Sequence, residues 1–171
     1  MGTPAFGARI LEEIMKEHEV VLVVTQPDRA IGRKKEVIYS PVKELALKYN
    51  LPLLQPIKIK EIESQLLQYH FDIIVTAAFG QFVGKHLLDY PQYKAINVHG
   101  SLLPKYRGGA PIQRAIINGD KITGITIMYM DKKMDAGDII MQETLPILDD
   151  DDSDSLFAKM AELGAKMINP C

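Results

Sequence analysis

The sequence has 171 residues, 47% hydrophobic and 25% charged, which is the composition of one soluble globular domain with a sizeable core. No apolar run is long enough to span a bilayer and no signal peptide is visible, so we expect neither a membrane protein nor an exported one. The lone Cys171 excludes an internal disulfide and a cysteine-based metal cluster, and it is consistent with a reducing cytoplasm.

The net charge of −2 is unevenly distributed along the chain. Residues 1–110 carry 14 Lys and Arg against 11 Asp and Glu, whereas residues 111–171 carry 6 against 11. The negative total argues against a nucleic-acid binder, but a basic first part could face phosphate groups. An ordinary scatter of solvated charge explains the same counts equally well, so charge alone leaves both interpretations open.

Apolar periodicity and turn residues predict strands and helices in alternation along the chain. The predicted helices cover residues 4–16, 40–49, 62–69, 84–88, 111–118 and 153–168. The predicted strands cover residues 19–25, 51–54, 71–78, 95–99, 122–130 and 139–147. Residues 26–40 are predicted to form a polar loop, and Ser40 is predicted to cap the helix that follows it.

This order of elements predicts a doubly wound, Rossmann-like α/β fold with a mostly parallel sheet. The last two strands are joined only by residues 131–138, which is too short for a parallel crossover, so they are predicted to form an antiparallel pair. The acidic run 149–152 lacks the ligand spacing of a calcium loop, and we expect it to lie at the start of the last helix, which Ser153 or Asp154 would cap.

The stretch AINVHGSLLPKYRGGAPIQR at 95–114 carries the strongest functional pattern. Asn97 and His99 lie two positions apart on a predicted strand, so their side chains project to the same face. Polar groups at the carboxyl end of a strand, followed by a loop rich in Gly and Pro, suit a ligand site in an open α/β sheet. As a bare motif, however, Asn-x-His is better explained by two satisfied polar residues at a strand end. The other histidines, at 18, 70 and 86, are predicted to lie at the surface, and no metal is implied.

NVHGSLLPKYRGGAPIQ at 97–113, together with MDAGD at 134–138, resembles the formyltransferases that use 10-formyltetrahydrofolate. TQPDRAIGRKK at 25–35 and SPVKELA at 40–46 narrow the resemblance to the branch that acts on methionyl-tRNA, as do MGTPAF and TGITIMYMD. The resemblance implies a monomeric cytoplasmic enzyme that transfers a formyl group from 10-formyltetrahydrofolate to the amino group of initiator methionyl-tRNA, for translation initiation. It implies no metal and no membrane.

The resemblance also implies roles for individual residues. Asn97 would hold the oxyanion of a tetrahedral intermediate, His99 would carry a proton, and Asp135 would pair with His99. The residues implied to bind the folate are Phe79, Gly80, Ser101, Leu102, Leu103 and Pro104. The residues implied to contact RNA are Arg29, Arg33, Lys34 and Lys35. Composition alone would favour a solvated loop for the last group.

In the resembled family an apolar strand leads into the turn seen here at 2–4, and a C-terminal β-barrel domain helps to hold tRNA. We therefore expect a catalytic domain, residues 1–171, that lacks this first strand and this barrel. Two other interpretations stay open. One is the same chemistry on another amine, such as glycinamide ribonucleotide or an amino-sugar nucleotide; the other is a non-catalytic remnant that binds folate or RNA. A plain dinucleotide-binding domain is disfavoured because no G-x-G-x-x-G follows a strand.

Overall fold

The computed structural model of the chain describes residues 1–31 and 36–171, apart from the side chains of residues 30, 31 and 36. The helices are α1 (Ala5–Ile14), α2 (Pro41–Lys48), α3 (Glu63–Leu66), α4 (Lys85–Asp89), α5 (Pro111–Ile117) and α6 (Ser153–Ile168), with a 3-10 turn at Ile59–Ile62. The strands are β1 (Val23–Val24), β2 (Arg29–Ile31), β3 (Glu36–Ile38), β4 (Leu53–Leu54), β5 (Ile74–Thr76), β6 (Ala95–His99), β7 (Ile122–Tyr129) and β8 (Ile139–Pro146).

The strands form a parallel pair, an antiparallel hairpin and a four-stranded mixed sheet in the order β5-β6-β7-β8. β1 pairs in parallel with β4, and β5 pairs in parallel with β6. β7 lies antiparallel between β6 and β8, so the predicted antiparallel pair is confirmed and a second antiparallel contact is added. The mixed α/β fold class predicted from the sequence is therefore confirmed.

Met1 and Gly2 connect the β1–β4 pair to the four-stranded sheet. The N–H of Gly2 donates to the carbonyl oxygen of Val24 at the end of β1, and the carbonyl oxygen of Met1 accepts from the N–H of Ala77 beyond β5. Gly2 and Gly7 both lie against the carbonyl of Ala77, where an added Cβ would come within 2.8 and 2.9 Å of that oxygen. These glycines allow the turn and the start of α1 to approach the sheet closely.

Two large apolar clusters cover opposite faces of the sheets, as a doubly wound fold requires, and a third, smaller cluster lies between α2 and β1. On one face α1 and α6 pack against β6 and β7, with Phe6, Ile10, Ile125 and Met160 fully buried. On the other face α3 and α4 pack against β1 and β5. Among the described residues, no helix is both long enough and apolar enough to cross a membrane.

Several boundaries differ from the predictions, and the helix predicted at 62–69 is shortened to α3. The strands predicted at 19–25 and 71–78 are shortened to β1 and β5, because a ladder extends only as far as its partner strand does. The loop predicted at 26–40 contains an antiparallel hairpin, β2–β3, in which Arg29 pairs with Ile38. The two strands of this hairpin have three residues each and contain no long apolar run, so the segment was predicted as a loop.

The acidic run forms a cap for α6, one residue earlier than predicted. Asp152 is the N-cap residue: its carboxylate accepts from the N–H of Ser155, whose hydroxyl in turn accepts from the N–H of Asp152. Neighbouring Asp151 is buried beside the Lys159 ammonium. Hydrogen bonds from Lys159, from the N–H of Leu148 and from the Ser155 hydroxyl lower the pKa of Asp151 to about 2.

Candidate active site

Asn97 and His99 extend from the same face of β6, as the alternation predicts. Ile96 and Val98, the residues that alternate with them, point into the core beneath α1 and α6. The face that carries Asn97 and His99 is therefore the opposite one, and β6 ends there in the turn at Gly100. The side chains of Asn97 and His99 thus lie at the carboxyl end of β6, which pairs with a strand on each side.

The Asn97 side chain is held at its oxygen end. Thr76, its register partner on β5, donates a hydrogen bond from Oγ1 to Asn97 Oδ1 over 2.8 Å. Among the residues that the structure describes, the Asn97 amide nitrogen has no hydrogen-bond partner, and it is not sealed from solvent. Its two N–H groups are therefore available to a bound molecule.

The ring nitrogens of His99 face two different oxygen atoms. Nε2 lies 3.0 Å from the backbone carbonyl oxygen of Tyr106, and Nδ1 lies 3.7 Å from Oδ2 of Asp135. A carbonyl oxygen can only accept, so Nε2 carries a proton in this arrangement. The nitrogen whose protonation can change is then Nδ1, which faces the carboxylate. Only 7% of the His99 side chain and 11% of the Asp135 side chain are exposed, so little water screens the pair.

Tyr106 is fixed by its side chain, and its carbonyl group is therefore fixed as well. Its hydroxyl donates to Oδ2 of Asp120 over 2.7 Å and accepts from Asn118 over 2.9 Å. The guanidinium of Arg114 lies over its ring, 5.0 Å from the centroid. These contacts offset the cost of the left-handed backbone at Tyr106, which has φ 55°.

Asp135 reaches the site from the segment between β7 and β8. Its Oδ2 accepts from the N–H of Gly108 over 2.7 Å, and its own backbone is left-handed with φ 49°. Gly137 follows closely; a Cβ there would collide with the carbonyl of Tyr129 on β7. The structure therefore brings together Asn97, His99 and Asp135, the three residues to which the resemblance gives catalytic roles.

The 101–104 loop is pinned to β7 and β8 through one buried hydroxyl. Thr126 Oγ1 donates to the carbonyl of Ser101 over 2.6 Å and accepts from the N–H of Leu103 over 3.1 Å. Gln142 donates both to Thr126 Oγ1 and to the carbonyl of Leu103, over 2.8 and 3.0 Å. Thr126 pairs with His99 on one side and with Gln142 on the other, so the loop is held directly beside the histidine.

The members of this loop differ in what they can offer a ligand. Ser101 and Leu103 are buried, and the Ser101 hydroxyl donates to the carbonyl of Lys105 over 2.6 Å. Leu102 is half-buried and Pro104 is exposed. A ligand would therefore meet the apolar side chains of Leu102 and Pro104, while Ser101 and Leu103 maintain the shape of the loop.

Phe79 and Gly80 follow β5 at the same edge of the sheet. The Phe79 ring is buried in the core beneath α3 and α4, so Phe79 can contact a ligand only through its backbone. Its carbonyl accepts from Nε2 of Gln26 over 3.0 Å and from the Thr3 hydroxyl over 3.3 Å. Gly80 is exposed and left-handed, with φ 79°, which favours glycine at this position.

The residues predicted to contact RNA are described only in part. Arg29 is exposed at the start of β2, whereas Arg33, Lys34 and Lys35 lie outside the described residues. Gln26, which precedes the hairpin, donates to the carbonyl of Phe79 over 3.0 Å, and Gln55 donates to the carbonyl of Gln26 and to Asp28 over 3.1 and 2.8 Å. The hairpin and the Phe79 loop are thus neighbours in space.

Thr76, Tyr106, Thr126 and Gln142 support the candidate site and were missed from the sequence. Each holds a neighbour through a hydrogen bond, and threonines within apolar strands do not stand out in a sequence. The available signal was a buried hydroxyl on a strand, which requires a partner. No group of three or more His, Cys, Asp or Glu side chains with metal-binding geometry occurs in the part of the chain that the structure describes. His18, His70 and His86 are exposed, as predicted.

The model of a protein family described as formyl transferase matches residues 1–170 of the chain. A methionyl-tRNA formyltransferase of Mesoplasma florum is 58% identical over 169 residues, which are 98% of this chain and 54% of that protein. One from Staphylococcus aureus is 54% identical over 98% of this chain and 55% of that protein. The chain thus spans about half the length of these curated relatives.

Among solved structures, a phosphoribosylglycinamide formyltransferase of Bacillus halodurans superposes with a TM-score of 0.79 at 26% identity. The match covers 98% of this chain and 88% of that one. It supports the α/β fold described above over almost the whole chain.

Proposed function

This chain belongs to the formyl transferase family, and from that premise we propose that it transfers a formyl group from 10-formyltetrahydrofolate to the amino group of initiator methionyl-tRNA. The observation that carries the chemistry is one arrangement of side chains. The Asn97 amide presents free N–H groups beside a buried pair formed by His99 and Asp135. Oxyanion donors and a proton carrier are the two requirements of formyl transfer between nitrogen atoms.

In the proposed reaction the acceptor amine attacks the formyl carbon, and the carbonyl electron pair moves onto the formyl oxygen. Asn97 stabilises that oxyanion by donating from its amide nitrogen. The attacking nitrogen loses a proton to the pair formed by His99 and Asp135. The bond from the formyl carbon to N10 of the folate then breaks, and N10 receives a proton from the same pair. Protons balance over the cycle, so the enzyme returns to its starting state.

His99 acts in this scheme through Nδ1, because Nε2 is bonded to the carbonyl of Tyr106. A proton on Nδ1 makes the ring a cation, and Asp135 stabilises that cation at 3.7 Å. The imidazolium lies two residues from Asn97 on the same face, so its charge also favours the oxyanion. Removal of Asn97 is expected to slow transfer about 100-fold to 1,000-fold, with a much smaller change in folate affinity.

The folate donor fits the edge where β5 and β6 end. Two loops flank this edge, and they offer a ligand the exposed Gly80 and Pro104 and the half-buried side chain of Leu102. A flat heteroaromatic ring is suited to a site with apolar walls and a few backbone polar groups. The carbonyls of Phe79 and Leu103 are already bonded within the protein, so they set loop shape and leave ligand contact to their neighbours.

The acceptor is proposed from the basic hairpin β2–β3 and from the curated relatives. Arg29 is exposed on this hairpin, which is joined through Gln26 to the Phe79 loop. An exposed Arg29 near the folate edge suits a phosphate contact at the end of an RNA stem, and the sequence adds Arg33, Lys34 and Lys35 shortly after it. A translation enzyme of this kind would work in the cytoplasm.

Glycinamide ribonucleotide is the second candidate acceptor. The phosphoribosylglycinamide formyltransferase of Bacillus halodurans is covered over 88% of its length, against 54% for the Mesoplasma florum relative. The two acceptors share the transfer chemistry and differ in what must be bound next to the amine, so only the acceptor assay separates them.

The experiment measures formyl transfer from 10-formyltetrahydrofolate to charged initiator methionyl-tRNA and, separately, to glycinamide ribonucleotide. It uses this chain alone and this chain fused at its carboxyl end to the part of the Mesoplasma florum relative that it does not match. We expect transfer to the tRNA that His99→Ala abolishes and that His86→Ala, a change at an exposed histidine, leaves intact. Transfer to glycinamide ribonucleotide alone would show that the acceptor is wrong. Absence of transfer to either acceptor by both proteins would refute the proposal.

A further inference from the structure

The Thr76 hydroxyl has one proton and three acceptors within reach. Asn97 Oδ1 lies at 2.8 Å, the carbonyl oxygen of Ile96 at 3.2 Å and the sulfur of Met130 at 3.3 Å. The shortest contact is the one to the Asn97 amide oxygen, and amide oxygens are stronger acceptors than thioether sulfurs. Thr76 is 3% exposed, so water does not compete for this proton.

The orientation of an asparagine amide matters when it serves as an oxyanion donor. The oxygen and nitrogen ends have nearly the same shape, so packing alone does not distinguish the two orientations. In one orientation the N–H groups face the site; in the other the amide oxygen faces it and would repel an oxyanion. A neighbouring hydroxyl that donates to the oxygen end selects the first orientation.

We propose that Thr76 is a positioning residue for formyl transfer: its hydroxyl holds the amide oxygen of Asn97 so that the amide nitrogen faces the formyl oxygen of the donor. This inference rests on the proposed function and on the oxyanion role given to Asn97. Thr76 does not contact the substrate in this scheme. It acts through Asn97, its register partner on the adjacent strand.

The alternative is a purely structural role, in which the hydroxyl satisfies the sheet through the carbonyl of Ile96. A structural role would affect stability and both substrates together. Orientation of a transition-state donor would instead affect the rate constant at saturation and leave substrate affinities nearly unchanged.

The experiment measures kcat and the KM of each substrate for the fused protein described above, with Thr76→Val, Thr76→Ser and Asn97→Ala. The matched control is Thr123→Val, since Thr123 is also 3% exposed but points from β7 to the opposite face. We expect Thr76→Val to lower kcat about tenfold, the effect of one lost hydrogen bond, with both KM values unchanged. Thr76→Ser should restore kcat to within about twofold, and the control should retain it.

The double variant Thr76→Val with Asn97→Ala distinguishes a positioning role of Thr76 from a purely structural one. If Thr76 acts through Asn97, the valine adds no further loss once Asn97 is gone. An equal further loss in that background would overturn the positioning role, as would an unchanged kcat for Thr76→Val when Asn97→Ala alone is strongly impaired. A full rate for Asn97→Ala would instead overturn the oxyanion role itself, and the inference with it.

Discussion

The buried Thr126 hydroxyl offers a direct test of how the 101–104 loop is held. Replacing it with Val keeps the shape of the side chain and removes three hydrogen bonds. The carbonyl of Ser101 loses its donor and the N–H of Leu103 loses its acceptor, in surroundings where Thr126 itself is 0% exposed. Each of these two buried groups costs about 1–3 kcal/mol when left unpaired, so Thr126→Val should lower the free energy of unfolding by about 2–6 kcal/mol.

Thr126→Ser is the matched control because it keeps the hydroxyl and removes only a methyl group, at a cost of about 1 kcal/mol. Urea denaturation followed by circular dichroism gives the free energy of unfolding of both variants. Titration with the folate donor gives the affinity of each variant for that donor. We expect the valine variant to lose both stability and donor affinity. Free energies that agree within about 1 kcal/mol for the two variants would refute the hydrogen-bond argument.

Two further predictions concern stability. Gly124→Ala places a Cβ against a backbone carbonyl of β8 and 2.6 Å from a methyl group of Leu102, so it should lower the free energy of unfolding by about 1–3 kcal/mol. Gly109→Ala, which meets nothing within 4 Å, should change it little in the same urea experiment. Because the folded-state pKa of Asp151 is about 2 and its ordinary value 3.8, its charge stabilises the fold above about pH 4, and this contribution disappears between pH 4 and 2. The difference in Tm between the wild type and Asp151→Asn should therefore shrink over that range, and a constant difference would contradict the assignment.

The parts of the fold that the sequence predicted well are those with strong local signals. β6 matches the predicted range 95–99, because a buried run ends there at a Gly-Ser turn. Ser40 caps α2 as predicted, since its hydroxyl accepts from the N–H of Lys43, and Pro41 occupies the first turn. Asn50, just after this helix, has a left-handed backbone with φ 52°, which is typical of the residue that ends a helix. Each of these signals depends on neighbouring residues alone.

The candidate site was less predictable because its contacts join residues that are far apart in the sequence. Asp135 could not be linked to His99 by spacing; the Gly108 N–H and two left-handed backbones bring it there. The resemblance to the formyltransferases indicated Asp135, whereas the apolar periodicity of the sequence did not. The hairpin β2–β3 was missed although its pairing is local, because each of its strands has only three residues and neither carries a long apolar run.

Register explains why residues so far apart in the chain share one site. Thr76 on β5 is the register partner of Asn97 on β6. Two residues further along β6, His99 is the register partner of Thr126 on β7, which in turn pairs with Gln142 on β8. A slip of one residue in β6 would turn Asn97 and His99 toward the core beneath α1 and α6, and would expose apolar residues to the site. The apolar residues of β6 that fill this core therefore set the direction of its two polar side chains. The positions of the proposed catalytic residues follow from the burial of their apolar neighbours, and the hydroxyls of the adjacent strands then set the orientation of the polar groups.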